Sequence, residues 1–262
     1  MKLKNIFILF LILLPLSAAG RFIQLSGMTD PFTGFFYENF SGINIFMTVF
    51  FTALMLLLFV STFTFKDYSD NNLRKSPLMT AASFVMALAL LIELGSKMVS
   101  FDFSAFNLIY FVLLLLSAAV FCINGISNIS DIKVNSGLMM IFPLILWIFR
   151  LISSFISFTG MANISENVIT IIMICASMVF LLSQGKLAGG IISAKNTKLA
   201  VSFGMISANL CLISTLPRYI LYLIDKTKLH EGAVGSFTDL ALAFYAICFI
   251  YICLSNDNKI KE

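Results

Sequence analysis

The stretch LMMIFPLILWIFRLISSFISF, Leu138–Phe158, is long enough to cross a bilayer and carries an arginine, Arg150, near its middle. A guanidinium at this depth costs at least about 2.5–3.5 kcal/mol on insertion scales, so we expect Arg150 to face other helices or a wet cavity and to have an acidic or carbonyl partner. At helical spacing, one stripe of this helix collects the polar residues, the proline and the tryptophan: Pro143, Trp147, Arg150, Ser154 and Ser157. The remaining surface is Leu, Ile and Phe, which suits contact with lipid.

The composition of the whole chain is that of a membrane protein. Of its 262 residues, 60% are hydrophobic and 11% are charged, and the mean hydropathy is +0.99. A soluble domain has about 25% charged residues. Apolar runs of about 20 residues, separated by short polar connections, account for the length. The sequence predicts one transmembrane helical domain over residues 1–262, surrounded by the lipid bilayer and without a soluble catalytic module.

Charge, cysteine and histidine content exclude several partners and cofactors. The formal net charge is +4 and the basic residues are scattered along loops, so nucleic acid is not an expected partner. The five cysteines lie inside apolar runs without a CxxC pair, and we interpret them as small buried side chains. Because His230 is the single histidine, a bis-histidine haem and a His-rich metal centre are excluded, and we expect no cofactor and no metal.

Eight apolar runs are interpreted as transmembrane helices, which makes the expected fold an all-α bundle of four hairpins. The runs are Asn5–Gly20, Ile43–Phe65, Leu78–Phe101, Ala105–Ile123, Leu138–Phe158, Val168–Ser183, Leu199–Ile224 and Phe237–Leu254. The sixth run is the shortest, and we expect Glu166, Asn167 and Gln184 to extend it. Ser236 and Asp239 have the spacing of a capping box, which predicts the start of the last helix at that point.

The first run also has the features of a secretory signal. Lys2 and Lys4 precede it and Ser17-Ala18-Ala19-Gly20 ends it, so cleavage after Ala19 is one interpretation. Apolar residues continue beyond Arg21, and we favour retention as a membrane helix. The other helices have the same orientation in either case. Because most lysines and arginines then lie in inner segments, the positive-inside rule predicts that both termini are cytoplasmic.

The segment between the first two runs is rich in aromatic residues. Asp30-Pro31 has the pattern of a helix start. With Tyr37 at the headgroups, this segment is either a short helix at the outer interface or a loop with an aromatic anchor. The pattern Arg21-x-x-Gln24 followed by Asp30-Pro31-x-Thr33-Gly34-Phe35-Phe36 resembles the start of a group of uncharacterised bacterial multi-pass membrane proteins. The resemblance covers this segment alone. It implies a bacterial cytoplasmic membrane location and brings no activity, cofactor or site residue.

Basic residues recur toward the outer ends of alternate helices: Arg21, Lys97, Arg150 and Arg218. Glu93 is the one carboxylate well inside a run, and Lys97 follows one turn later in the favourable order for an ion pair. Further carboxylates lie near the outer ends at Asp30, Asp102, Asp225 and Asp239. We expect these groups to converge on a water-filled vestibule, with candidate binding residues Arg150, Glu93, Lys97, Arg218, Trp147, Ser154 and Tyr222.

A structural interpretation of the same residues is favoured for three of the four basic side chains. Arg21, Lys97 and Arg218 are near enough to the surface to reach headgroup phosphates, and Lys97 alone could neutralise Glu93. Arg150 lies deeper, and we favour an internal partner for it. A Leu-Pro-Leu before Arg21 and a Phe-Pro-Leu before Arg150 raise the alternative of two duplicated four-helix halves, although chance similarity is favoured in such apolar sequence.

Enzyme signatures are absent from the sequence, and we expect a protein that is not an enzyme. His230-Glu231 lacks the second histidine of HExxH, and Asp67-x-x-Asp70 is interpreted as solvated surface rather than a magnesium site. Residues 185–190 lack the strand and spacing of a phosphate loop, although their Gly185-x-x-x-Gly189 would allow close helix contact.

Two hypotheses about function follow from the sequence. The first is a transporter or permease-like component for a small polar or anionic solute, based on the charged residues within alternate helices. The second is a non-transporting membrane protein, such as a sensor, an assembly factor or an immunity-type protein, acting on a membrane partner or a second copy of itself. The lack of the paired helix interruptions expected of many secondary transporters favours the second.

Overall fold

The computed structural model is helical throughout the part of the chain that it describes, residues 3–28, 37–63, 76–99, 104–129, 136–158, 164–224 and 233–258. The α-helices are α1 (Leu3–Gly27), α2 (Ser41–Phe63), α3 (Pro77–Val99), α4 (Ala105–Ile129), α5 (Ser136–Met139), α6 (Ile141–Phe158), α7 (Ile164–Ala188), α8 (Ala194–Ile224) and α9 (Ala233–Asn258). A 3-10 turn, Glu38–Phe40, leads into α2.

The helices have the lengths of membrane spans. Within the described ranges, seven helical segments are long and apolar enough to cross a membrane, with α5 and α6 counted as one. The apolar part of α9, Phe237–Cys253, is shorter than the other seven. The chain is therefore a multi-pass, all-helical membrane protein. The eighth span and the orientation of the helices stay predictions, and the words inner and outer refer below to that predicted orientation.

One helix boundary agrees with the prediction made from the sequence, and another differs from it. As expected, α7 includes Glu166, Asn167 and Gln184. The predicted boundary at Gly20 was wrong, because α1 continues through Arg21 as far as Gly27. A single glycine costs a helix only about 1 kcal/mol, which the tertiary contacts of the next turn outweigh. The predicted helix start at Asp30-Pro31 lies outside the described residues.

The central run is interrupted near its inner end, at Met140. Proline has no N–H, so Pro143 cannot donate to the carbonyl of Met139 as a helical residue would. The helical turn of α5 ends at Met139, and α6 begins at Ile141, with Pro143 in its first turn. In the first turn of a helix the missing N–H has no consequence, since those N–H groups lack partners within the helix.

The last helix starts earlier than the capping-box spacing predicted. α9 begins at Ala233, so Ser236 and Asp239 lie inside the helix. Asp239 does not act as part of a cap, because its carboxylate is bound to a side chain of another helix.

Six helical segments form a closed ring. α3 packs on α4, α4 on α6, α6 on α7, α7 on α8, α8 on α9, and α9 returns to α3. The α1–α2 pair lies outside this six-helix ring and packs against α8. As a result α8 has neighbours on most sides, and most of its residues are buried. Each predicted helix pair packs together, and the duplication of two halves stays a prediction.

At the inner end of the ring, the backbone of α5 is in direct contact with the end of α7. A Cβ atom added at Gly137 would lie 2.3 Å from the Cα of Gly189 and 2.9 Å from the carbonyl oxygen of Gly185. Only glycine permits this approach. The close helix contact expected for Gly185-x-x-x-Gly189 is confirmed, and α5 supplies its partner.

Aromatic side chains fill the middle of the ring. Tyr245 of α9 makes edge contacts with Phe121 of α4 and Phe180 of α7, at centroid distances of 5.2 Å and 6.4 Å. Phe180 in turn contacts Phe249 at 5.6 Å. All four side chains are buried. The interior at this level is a packed apolar core, with polar groups above and below it.

Candidate functional site

Arg150 and Asp239 form an ion pair across the interior of the ring. Nη1 of Arg150 donates to Oδ1 of Asp239 at 2.9 Å, although the two residues are 89 positions apart. Because α6 and α9 are not neighbours in the ring, this bond spans its interior. The two side chains are 13% and 11% exposed, so the pair is largely withdrawn from solvent. The expected internal acidic partner of Arg150 is therefore confirmed.

The polar stripe of α6 faces the ring interior, as the sequence predicted. Pro143 and Trp147 are buried, whereas Ile145 and Ile148 are exposed. The guanidinium carbon of Arg150 lies 5.2 Å from the centroid of the Trp147 ring. A cation over an indole face is stabilised by the ring quadrupole, most strongly where water is excluded. Trp147 thus holds the guanidinium from one side while Asp239 binds it from another.

Glu93 lies beside this ion pair and is 2% exposed. Its Oε1 accepts a hydrogen bond from the hydroxyl of Tyr110 at 2.5 Å, and its Oε2 accepts one from the hydroxyl of Thr238. Tyr110 comes from α4 and Thr238 from α9, the two ring neighbours of α3. Since Thr238 precedes Asp239 in the chain, the two carboxylates are brought into one site, and Arg150 is within electrostatic range of both.

Lys97 does not take part in the site. It is exposed, and among the described residues it forms no ion pair with Glu93, so the expected pairing of Glu93 with Lys97 was wrong. The carboxylate of Glu93 is bound instead by the hydroxyls of Tyr110 and Thr238, while the side chain of Lys97 is exposed. Its exposure agrees with the interpretation that Lys97 extends to headgroups.

Arg218 is partly buried near the outer end of α8, within electrostatic range of Asp239. Tyr219 is likewise within range of Asp239. Tyr222, in contrast, is 38% exposed. Ser154 is half-buried on the inward stripe of α6. Of the predicted binding residues, Arg150, Glu93 and Trp147 thus meet in one site, Arg218 and Ser154 lie at its margin, and Lys97 and Tyr222 face away.

The site is called here the charge cluster: Glu93, Tyr110, Trp147, Arg150, Thr238 and Asp239. It combines two carboxylates, one guanidinium and two hydroxyls in a largely water-free position, which suits binding of a small polar group or of protons. Within the described ranges, no three His, Cys, Asp or Glu side chains are grouped so that they could hold a metal ion. Asp30, Asp102 and Asp225, expected near this end, lie outside the described residues.

Arg21 belongs to a second polar group, between α1 and α2. It is 3% exposed and donates to Oε1 of Gln24 at 2.6 Å, and Gln24 donates to Asn44 at 3.1 Å. The interpretation that Arg21 reaches headgroups was therefore wrong. One turn earlier on α1, Ser17 donates to Asn209 of α8 at 2.8 Å. These bonds join the α1–α2 pair to each other and to the ring.

Neutral polar groups continue into the inner half of the ring. The hydroxyls of Ser177 and Ser207 lie 2.8 Å apart, joining α7 to α8. Farther in, the Gln184 amide donates to the hydroxyl of Tyr245, and Ser83 of α3 is also in contact with that hydroxyl. The polar side chains in the inner half of the ring are therefore uncharged, whereas those near the outer end include charged ones.

Several residues of these sites were missed in the sequence. Tyr110, Thr238, Gln184 and Tyr245 stand in or beside apolar runs without a charge to draw attention. What these residues share is their position, since each is a hydrogen-bonding side chain on the buried face of its helix. Such a face can be recognised only once the neighbours of the helix are known.

Comparisons of the chain with protein-family models, with curated proteins and with solved structures found no match.

Proposed function

We propose that the chain is a transporter or permease-like component for a small polar or anionic solute, in which the charge cluster binds the solute. The observation that carries the proposal is the Arg150–Asp239 pair beside Glu93, inside the ring and on helices that are far apart in sequence. A buried ion pair is costly to desolvate and is weak evidence for stability alone, so its presence at membrane depth supports a role in binding.

The geometry supports a mode of binding. In the present arrangement Asp239 occupies the guanidinium of Arg150. An anionic group of the solute would compete with Asp239 for that guanidinium, while the hydroxyls of Tyr110 and Thr238 would offer further hydrogen bonds. The aromatic layer of Phe121, Phe180 and Tyr245 lies below and would have to move for the solute to pass inward.

The test is transport by the full chain reconstituted in lipid vesicles. Currents on a supported membrane are recorded while amino acids, organic acids, phosphate and sulfate are applied in turn. We expect at least one solute to give a saturable current that is lost in Arg150→Ala and retained in part in Arg150→Lys, because lysine keeps the charge but not the planar fork.

Lys97→Ala is the matched control, since Lys97 is also basic, lies on the next turn beyond Glu93 and is exposed. Its current is expected to equal that of the wild type. Currents that are absent for every solute in correctly folded wild-type protein would overturn the proposal, as would a current that Arg150→Ala leaves unchanged.

A second candidate function is that of a non-transporting membrane partner. The observation in its favour is the filled interior: Tyr245, Phe121 and Phe180 are each at most 1% exposed, and the charged groups above them already have partners. This function predicts a stoichiometric partner, or a second copy of the chain, after crosslinking in native membranes, together with no solute current. We further propose a bacterial cytoplasmic membrane as the location, on the N-terminal pattern and the distribution of basic residues.

A further inference from the structure

We propose that Glu93 is a proton-binding site that alternates between carboxylate and carboxylic acid, whereas the neighbouring Asp239 is bound to Arg150. Coupling of this proton to solute movement rests on the proposed function, but proton binding itself does not. The proposal starts from the different partners of the two carboxyl groups, which are adjacent in space and unlike in chemistry.

The partners of Glu93 can satisfy both protonation states. A hydroxyl can donate or accept a hydrogen bond, whereas a guanidinium can only donate. Ionised Glu93 accepts from Tyr110 and Thr238, as observed. Protonated Glu93 can donate to either hydroxyl after that hydroxyl rotates, so both contacts of the carboxyl group are kept. Asp239 faces a guanidinium, which cannot accept a hydrogen bond, so a protonated Asp239 would find no acceptor there for its O–H.

The titratable and charged groups around Glu93 come from four other helices. The groups that face Glu93 are Tyr110 from α4, Arg150 from α6 and Asp239 from α9, with Arg218 of α8 near Asp239. Arg150 and Asp239 neutralise each other in direct contact. Among the described residues, the hydroxyls of Tyr110 and Thr238 bind Glu93 directly, so its proton can be taken up or released without breaking the Arg150–Asp239 ion pair. The step forms one O–H bond and needs no other reactant than a proton from water.

Two buried polar atoms on the inward side of Glu93 lack hydrogen-bond partners among the described residues. Ser117 follows Tyr110 by two helical turns on the same face of α4, about 10 Å farther in. Its hydroxyl is fully buried without a hydrogen bond, and so is the Oε1 atom of Gln184 near Tyr245.

Infrared spectroscopy of the purified full chain in lipid tests the proposal directly. A protonated carboxyl group gives a carbonyl stretching band that a carboxylate lacks. We expect such a band to grow as the pH is lowered. The band should be lost in Glu93→Gln. Absence of any titrating band in the wild type, or persistence of that band in Glu93→Gln, would overturn the proposal.

A second variant covers the case in which Glu93→Gln fails to fold. Thr238→Val removes one hydroxyl partner and keeps the carboxyl group, so the band should shift in frequency without disappearing. Thr52→Val is the matched control, because Thr52 is exposed and bonded to its own helix, and it should leave the band in place. A band that Thr238→Val does not move would mean that it comes from another group, against the proposal.

The outcomes separate this inference from the proposed transport. A Glu93 band in protein that carries no current would support the proton site and end the transport proposal. A solute current in protein without the band would support transport and overturn the proton site.

Discussion

The outer and inner halves of the six-helix ring are held together by different interactions. The outer half contains the charge cluster, with an ion pair and a carboxylate bound by two hydroxyls. The inner half contains neutral hydrogen bonds, edge-to-face aromatic contacts and the glycine contact between α5 and α7. The comparison teaches that the charged side chains are concentrated at one depth, while neutral hydrogen bonds and close packing hold the other end together.

The largest effect on the free energy of unfolding is expected from breaking the Arg150–Asp239 ion pair. Asp239→Ala leaves the guanidinium of Arg150 buried without its acidic partner, and we expect a loss of about 3–5 kcal/mol in unfolding free energy. Thermal unfolding in detergent micelles measures it. The double variant Arg150→Met with Asp239→Leu should be more stable than either single change, because it removes both charges together. Additive losses would show that the two side chains do not interact.

A smaller effect is expected at the glycine contact. Gly137→Ala puts a methyl group 2.3 Å from the Cα of Gly189, so α5 and α7 must separate, at a cost of about 1–3 kcal/mol. Gly95→Ala is the matched control, since a Cβ there meets nothing within 4 Å. Because alanine favours helix over glycine, that control should be neutral or stabilising. Equal effects of the two substitutions would contradict the close contact.

The hydrogen bond between Gln184 and Tyr245 in the inner half is expected to contribute still less to the free energy of unfolding. Tyr245→Phe removes the hydroxyl that Gln184 and Ser83 contact, and we expect a loss of about 1 kcal/mol, in line with side-chain hydrogen bonds measured within membranes. Tyr251→Phe on the same helix is the control, because Tyr251 is 53% exposed. A loss at Tyr245 as large as that of Asp239→Ala would remove the distinction between the two halves.

The smallest effect is expected at Lys97. Lys97→Gln should change the unfolding free energy by no more than about 0.5 kcal/mol, since the side chain is exposed and takes no part in the charge cluster. Measured in the same detergent as Asp239→Ala, a loss of comparable size would indicate that Lys97 pairs with Glu93 after all.

Much of the architecture could be predicted from local sequence. Long apolar runs indicated a multi-pass helical membrane protein, and the amphipathic stripe of residues 138–158 indicated which side of α6 faces inward. Arg150 required an internal acidic or carbonyl partner on energetic grounds alone, and it has one. These properties depend on residues within one helix and on the cost of removing a charge from water, so no knowledge of neighbouring helices was needed.

The choice of partners was decided only by the tertiary structure. Asp239, expected near a helix cap, binds Arg150 from 89 positions away, and Thr238 reaches Glu93 across 145 positions. Glu93 and Lys97 are one turn apart, yet they do not meet, because the Glu93 carboxylate is bound by hydroxyls from α4 and α9 while Lys97 is exposed. Lipid-facing and interior-facing surfaces are both apolar in such a chain, so hydropathy distinguishes them poorly. Helix order and rotation, which depend on the packing of all helices at once, determine which polar groups share a site.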